Sequence, residues 1–281
     1  MNKLIITADD FGMCESVNKA IIDCIKIGGI MSVNVMVNMN KAGQAIMLRS
    51  IEKEISVGIH WNLTTGRPVL PPDKIRSLLD KNGYFLSAKA LKSKFRRALI
   101  NKTHILKELR AQYFKFLELS GKPCYWNTHE NIHINIGLFK IFVDIASDLK
   151  INKMRCHSRI RVNSDKSAQK NISLLTKTKV MIINYWNSYA KKKGICMPDG
   201  LLVFVNYNDR HSIRKFYKNI NWGSDSTIAE LCVHPSLDKE YKYFGNVTEN
   251  RVKDYLMCKD KNLGKFLLKN NIKIANYSSI G

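Results

Sequence analysis

The chain has 281 residues, 45% of them hydrophobic, and carries 46 Lys and Arg against 23 Asp and Glu, a formal net charge of +23. That length and apolar content can bury the core of one α/β domain, and no apolar run approaches the roughly 20 residues a membrane-spanning helix needs. Seven scattered cysteines with no C-x-x-C pair support neither a zinc ribbon nor a disulfide framework. Free thiols in a reducing compartment are expected. The first residues, Met1-Asn2-Lys3-Leu4, lack the apolar stretch of a signal peptide, so a cytoplasmic protein is expected.

Short β-branched runs alternate with longer amphipathic segments along the chain. The runs read as strands over Leu4–Ala8, Val33–Val37, Ser56–His60, Pro123–Asn127, Lys153–Cys156, Leu201–Val205, Glu230–Val233 and Ile272–Ala275. Helical periodicity covers Ser16–Ile27, Lys41–Ile51, Lys102–Leu119, Gly137–Leu149, Lys166–Lys192, Ser212–Tyr217 and Asn250–Leu268. This alternation predicts a single α/β domain over residues 1–281, an irregular (β/α) TIM-like barrel. An open doubly wound sheet is the alternative. Gly28-Gly29 follows a helix, not a strand, and reads as a C-cap instead of a phosphate loop. Residues 64–84, with Pro68, Pro71, Pro72 and Gly83, read as a loop insertion after the third strand, a lid or substrate wall.

The polar residues at the strand ends carry the chemistry. Asp9 and Asp10 close the first apolar run, where two carboxylates side by side repel and need a cation or a shared proton. The plain alternative is that one of them caps the following helix. His60 ends the third run, His129 follows the fourth and His234 ends the seventh. On a barrel these positions share the C-terminal face. One Asp and two His suit a divalent metal with open positions, leaving the spare Asp as general base and the remaining His as acid. Read this way, the residues lead to metal-assisted hydrolysis. His104, His157 and His211 do not share the pattern, and His104 and His211 are expected to be exposed.

The segments TADDFG with Ser16-Val17-Asn18, GIHWNLTTGRPV, THENIH and ELCVHPS occur in that order, and together they resemble the YdjC-like carbohydrate deacetylases. The similarity runs from Leu4 to about Arg251. It implies a divergent (β/α)-barrel enzyme that removes N-acetyl groups from amino sugars such as chitooligosaccharides, using one divalent metal ion, Zn or Mg. Asp10, His60 and His129 would be the ligands, Asp9 the base acting on the attacking water, and His234 the acid for the departing amine. The fourth-strand motif departs from the family's three alternating histidines, with Asn131 in the middle place. His133 keeps the last place as a substrate or supporting contact. Trp61 is read as a sugar-stacking wall or a packing residue, and Asn62 as a substrate contact.

Two other classes compete. A metal-dependent phosphoesterase or amidohydrolase could use the same ligands. A basic nucleic-acid-binding protein would account for the charge, but no zinc finger or RRM-type aromatic motif is present, so no specific nucleic acid is expected. Clusters at Lys92–Arg97, Lys150–Arg161 and Lys191–Lys193 favour an anionic glycan or lipid headgroup as partner, with action at the inner membrane face. A lysine-rich genome explains the same charge with no partner. A homodimer is compatible with the sequence.

Overall fold

A computed structural model describes residues 1–281 apart from 136, 161, 163–173, 203–209, 224–225, 240 and 245–247. The strands are β1 (Asn2–Phe11), β2 (Ser32–Val35), β3 (Ser56–Trp61), β4 (Trp126–Thr128), β5 (Gly200–Leu202), β6 (Ile228–Val233) and β7 (Ile272–Ala275). Every paired strand is parallel, in the order β4-β3-β2-β1-β6-β5, with β7 on the N-terminal half of β1. The sheet curls into a half-barrel. The irregular TIM-like barrel expected from the sequence is thus met as a barrel-like curled sheet that does not close, and the segment predicted as a strand at Lys153–Cys156 forms only single bridges, Trp126 to Met154 and Lys153 to Cys196. A further bridge joins Arg159 to Leu201, so among the described residues between β4 and β5 there are isolated bridges and no ladder. The predicted strand Leu201–Val205 ends at Leu202, and its remaining residues lie outside the described ones.

Residues alternate between the two faces of each strand. Leu4, Ile6 and Ala8 of β1, Val33 and Val35 of β2, and Val57, Ile59 and Trp61 of β3 join the main core beneath the helices. Helices α1 (Glu15–Lys26), α4 (Lys102–Ser120) and α5 (Leu138–Asp148) supply the other side of that core, for example Ile21, Leu109 and Phe142. The opposite, inner face is polar although buried: Thr7, Asp9, Asn34, His60, Asn127 and Glu230 all lie there. At its base Ile5, Tyr125, Tyr277 and Ile280 form a second apolar cluster, with the two tyrosine rings stacked at 3.5 Å. Gly58 is needed on this face, since a Cβ there would stand 2.6 Å from Asn34 Oδ1 and 2.7 Å from the Tyr125 ring.

Several helices differ from the periodicity. Residues 41–51 form a 3₁₀ stretch, Ala42–Met47, that turns into the short α2 (Leu48–Ile51). A helix absent from the sequence reading, α3, covers Ala88–Arg96, with Ser87 Oγ capping Ala90 N. The long helix expected over Lys166–Lys192 is described as α6 from Leu174 to Lys192, and its predicted start lies outside the described residues. After α7 (Arg210–Lys218), the helix predicted at Asn250–Leu268 is two, α8 (Thr248–Cys258) and α9 (Leu263–Lys269). Among the described residues no helix is long and apolar enough to cross a membrane.

The 64–84 segment is a packed wall on α4. Glu108 accepts from Val69 N at 2.9 Å and Leu70 N at 3.1 Å, and Ile75 and Leu78 are fully buried. Asn62 pins its start: Oδ1 accepts from Thr64 N and Thr65 N, both at 3.0 Å, while Nδ2 donates to Thr65 O at 2.6 Å. The hydrogen-bonding groups of this buried side chain are thus turned onto the loop and onto Asn38, whose Oδ1 accepts from Asn62 Nδ2 at 3.0 Å.

Candidate active site

Adjacent residues of a regular strand point to opposite faces, so Asp9 and Asp10 could not both face one pocket from a straight β1. The register of β1 against β2 shifts between Ala8 and Phe11, and Asp10 takes a φ of +69°. Such a bulge re-aims one side chain, and Asp tolerates the left-handed region better than most residues. Both carboxylates end up buried, 3% and 1% exposed, in one constellation.

Asp10 Oδ1 lies 3.4 Å from His60 Nε2 and 3.0 Å from His129 Nδ1, while Oδ2 accepts from Arg251 Nη2 at 2.6 Å. His60 Nδ1 bonds Asn127 Oδ1 at 2.5 Å, and Asn127 Nδ2 donates to Asp9 Oδ1 at 3.1 Å. With that amide orientation His60 Nδ1 is the donor, so its Nε2 lone pair faces Asp10. The three converging donors, one carboxylate oxygen and two imidazole nitrogens, fit a divalent cation with open positions. The partner on the far side of His60 orients the ring as metal-binding histidines are usually oriented.

Asp9 is held differently. Its Oδ1 accepts from Asn34 Nδ2 at 2.7 Å and Arg155 Nη2 at 3.0 Å, and its Oδ2 from Arg155 Nη1 at 2.7 Å. Arg155 also donates from Nε to Glu230 Oε1 at 2.9 Å, and Glu230 Oε2 accepts from Tyr277 OH at 2.8 Å. Burial would raise the Asp9 carboxyl, but the Arg155 guanidinium overrides it and keeps Asp9 well below the usual carboxylate range. Asp10 is likewise lowered, by Arg251 and His129 against burial. Burial opposes the charged form of His60, yet Asp9 and Asp10 raise it.

His234 follows β6, whose register sets Thr7 beside Cys232 and Ala8 beside Val233. That register carries His234 toward Asp9. Burial, with the guanidinium groups of Arg251 and Arg155, holds its imidazole at about 4 against the pull of Asp10 and Asp9. Its backbone N–H donates to Asp254 Oδ2 at 2.7 Å. Burial raises the Asp254 carboxyl from 3.8 to about 7. Stability from the neutral form is thus full below the unfolded value of 3.8 and lost as pH rises through about 7. Asp254→Asn keeps an acceptor for the His234 N–H and removes the titration. Its melting temperature should vary less than the native protein's between about pH 4 and about pH 8, and an identical pH dependence would exclude Asp254 as the source.

The remaining predicted residues lie around this centre. His133 is fully buried; its Nδ1 is 2.6 Å from Thr128 Oγ1 and its Nε2 is 2.8 Å from His157 Nε2. Burial and the His157 and Arg155 neighbours keep His133 neutral, and burial with Arg155 pushes His157 down to about 3. Trp61 has no exposed surface: its ring packs on Trp126 and Phe142 and its Nε1 donates to Leu109 O. The sugar-stacking reading of Trp61 is corrected to packing in the core. Asn62 is spent on the loop, as described above. His104, expected to be exposed, is half-buried and bonds Ser77 Oγ at 2.9 Å, while the side chain of His211 lies outside the described residues.

Arg155, Arg251, Glu230, Asn127, Asp254 and His157 were not singled out by the sequence reading. Arg155 belongs to the basic cluster Lys150–Arg161, expected to meet an anionic partner, yet it is 2% exposed. Glu230 did carry a signal, since a carboxylate within the apolar run Ala229–Val233 must be paired if buried. Arg251, in an ordinary amphipathic pattern, carried none.

A half-barrel of parallel strands with a buried Asp-His-His donor set and a second aspartate at its carboxyl ends defines an α/β protein with a candidate metal centre. The chain belongs to the YdjC-like protein family, whose model matches residues 3–269. It is 25% identical to a carbohydrate deacetylase of Thermoanaerobacter pseudethanolicus over 279 residues, 99% of each chain. It is 34% identical to a carbohydrate deacetylase of Danio rerio over 154 residues, 54% of this chain and 49% of that one, so the match spans about half of the vertebrate relative. A chitooligosaccharide deacetylase of Yersinia enterocolitica is 30% identical over 52% of this chain and 56% of its own length. The fold is shared with a crystal structure from Enterococcus faecalis V583, provisionally assigned to cellobiose-phosphate cleavage, at TM-score 0.75 and 21% identity over 99% of this chain and 98% of that one.

Proposed function

We propose that this protein is a metal-dependent carbohydrate deacetylase that hydrolyses the acetamide of an N-acetylated amino sugar. The observation that carries the proposal is the convergence of Asp10 Oδ1, His60 Nε2 and His129 Nδ1 beside an independently anchored, ionised Asp9. Relatives named carbohydrate deacetylase and chitooligosaccharide deacetylase support the substrate class. Asp10, His60 and His129 would hold the cation, which when bound supplies Lewis acidity toward a water and the acetamide carbonyl.

The chain's own residues do the proton work. Asp9, kept anionic by Arg155 and fixed by Asn34 and Asn127, takes the proton of the attacking water. His234 is neutral at rest, and as negative charge develops on the carbonyl oxygen the proton that Asp9 took from the water passes to its imidazole, which lies beside Asp9. It then delivers a proton to the departing amine. Arg251 on Asp10 Oδ2 leaves one oxygen, Oδ1, turned toward the histidines.

The basic surface favours an anionic or phosphorylated amino sugar met in the cytoplasm, including one presented at the inner membrane face. The test is acetate release across a panel of N-acetylated sugars. Release should stop with chelator and return with one divalent ion per chain, and His60→Ala should lose the ion. A metal stoichiometry in His60→Ala unchanged from the native protein's, or no acetate from any acetylated sugar, would overturn the proposal.

A further inference from the structure

A second donor triad lies beside the first and differs from it in chemistry. Asp9 Oδ2, Cys232 Sγ and His234 Nε2 all lie within 4.8 Å of one another. The thiol is 3.1 Å from Asp9 Oδ2 and 3.9 Å from His234 Nε2. Cys232 pairs with Thr7 across the β1–β6 ladder, so strand alternation turns it toward the inner face that bears Asp9. Cys232 and His234 are both half-buried, whereas Asp9 is buried. Zinc bonds of about 2.3 Å to sulfur and about 2.0 Å to nitrogen or oxygen put tetrahedral donors about 3–4 Å apart, close to the spacing of these atoms.

We propose that Asp9, Cys232 and His234 form a second, inhibitory site for a thiophilic divalent cation. The inference rests on the proton-transfer roles given above to Asp9 and His234. As the ion enters, the Cys232 S–H bond breaks, a metal–sulfur bond forms and the proton leaves to buffer. The Asp9 Oδ2 lone pair that accepted the thiol proton turns to the ion, the neutral His234 Nε2 donates its own, and Arg155 keeps its bonds to Asp9.

Thiolate selects zinc, cadmium or cobalt over magnesium. Charge decides the order of filling. Asp9, Asp10 and Glu230 against Arg155 and Arg251 leave one net negative charge, which the first divalent ion reverses. The second ion therefore binds more weakly. Because it occupies both proton-transfer groups, activity rises to one equivalent of zinc and falls with excess zinc, but excess magnesium does not lower it.

The experiment is a cobalt titration of metal-free protein, followed in the near-ultraviolet, where thiolate–cobalt charge transfer absorbs. Two equivalents should bind, with the band arriving on the second. Cys232→Ser should keep the first equivalent and lose the second, the band and the inhibition by excess zinc. A native titration that stops at one equivalent without the band, or a Cys232→Ser protein that keeps both, would overturn the site. Native protein supplies a check that needs no variant. Excess cadmium should protect Cys232 from iodoacetamide in peptide mapping, and unprotected alkylation would count against the site. His60→Ala keeps the two readings apart, because it removes the first equivalent and acetate release while the charge-transfer band persists.

Discussion

Asp9→Asn should lower kcat for acetate release by about 10²–10⁴-fold while the protein still carries its divalent ion, the range expected for loss of a proton-transfer group. The carboxamide is isosteric, and it leaves Asp10, His60 and His129 unchanged, so metal content separates the loss of a base from the loss of a ligand. The bidentate Arg155 contact, at 2.7 and 3.0 Å, loses its charge partner, but Arg155 keeps Glu230 at 2.9 Å. The fold should therefore survive. A variant within a few-fold of native kcat would remove Asp9 from the reaction, and a variant with no metal would mean that Asp9 is itself a ligand.

Arg155→Met should destabilise the protein by about 3–5 kcal/mol, measured by denaturant unfolding, because it leaves two buried carboxylates without their cation. Asp9 is 3% exposed and Glu230 has no exposed surface, so neither can turn to water without moving a strand. Adding Glu230→Gln to Arg155→Met should recover part of the loss, since one of the two orphaned charges is then gone. Arg155→Lys should fall between, because a single ammonium cannot bridge both oxygens of Asp9 and reach Glu230 as well. A change below about 1 kcal/mol for Arg155→Met would show that solvent reaches the inner face and compensates the charges.

The strands bearing the site were legible because buried parallel strands read as continuous β-branched runs, and Leu4–Ala8, Ser56–His60 and Glu230–Val233 all fall within observed strands. Lys153–Cys156 has the same local pattern but makes only single bridges, because a ladder depends on two neighbours running in register, and neither neighbour is local in sequence. The helix expected over Asn250–Leu268 breaks between Cys258 and Leu263, where Asp260 Oδ1 accepts from Asn262 N at 3.0 Å. A turn closed by its own side chain competes with continued helix at those residues.

By itself the sequence determined which chemical groups stand at the strand ends: Asp9, Asp10, His60, His129 and His234 follow short apolar runs, and position along a strand is a local property. Only the tertiary structure decided how those groups are brought together and anchored. The β1 bulge turns both aspartates into one pocket, Arg155 and Glu230 anchor Asp9, and Arg251 anchors Asp10. Each of those pairings joins residues far apart in the chain, so no local pattern records it. In a buried site, moreover, the charge a carboxylate holds is set by the guanidinium the fold brings against it.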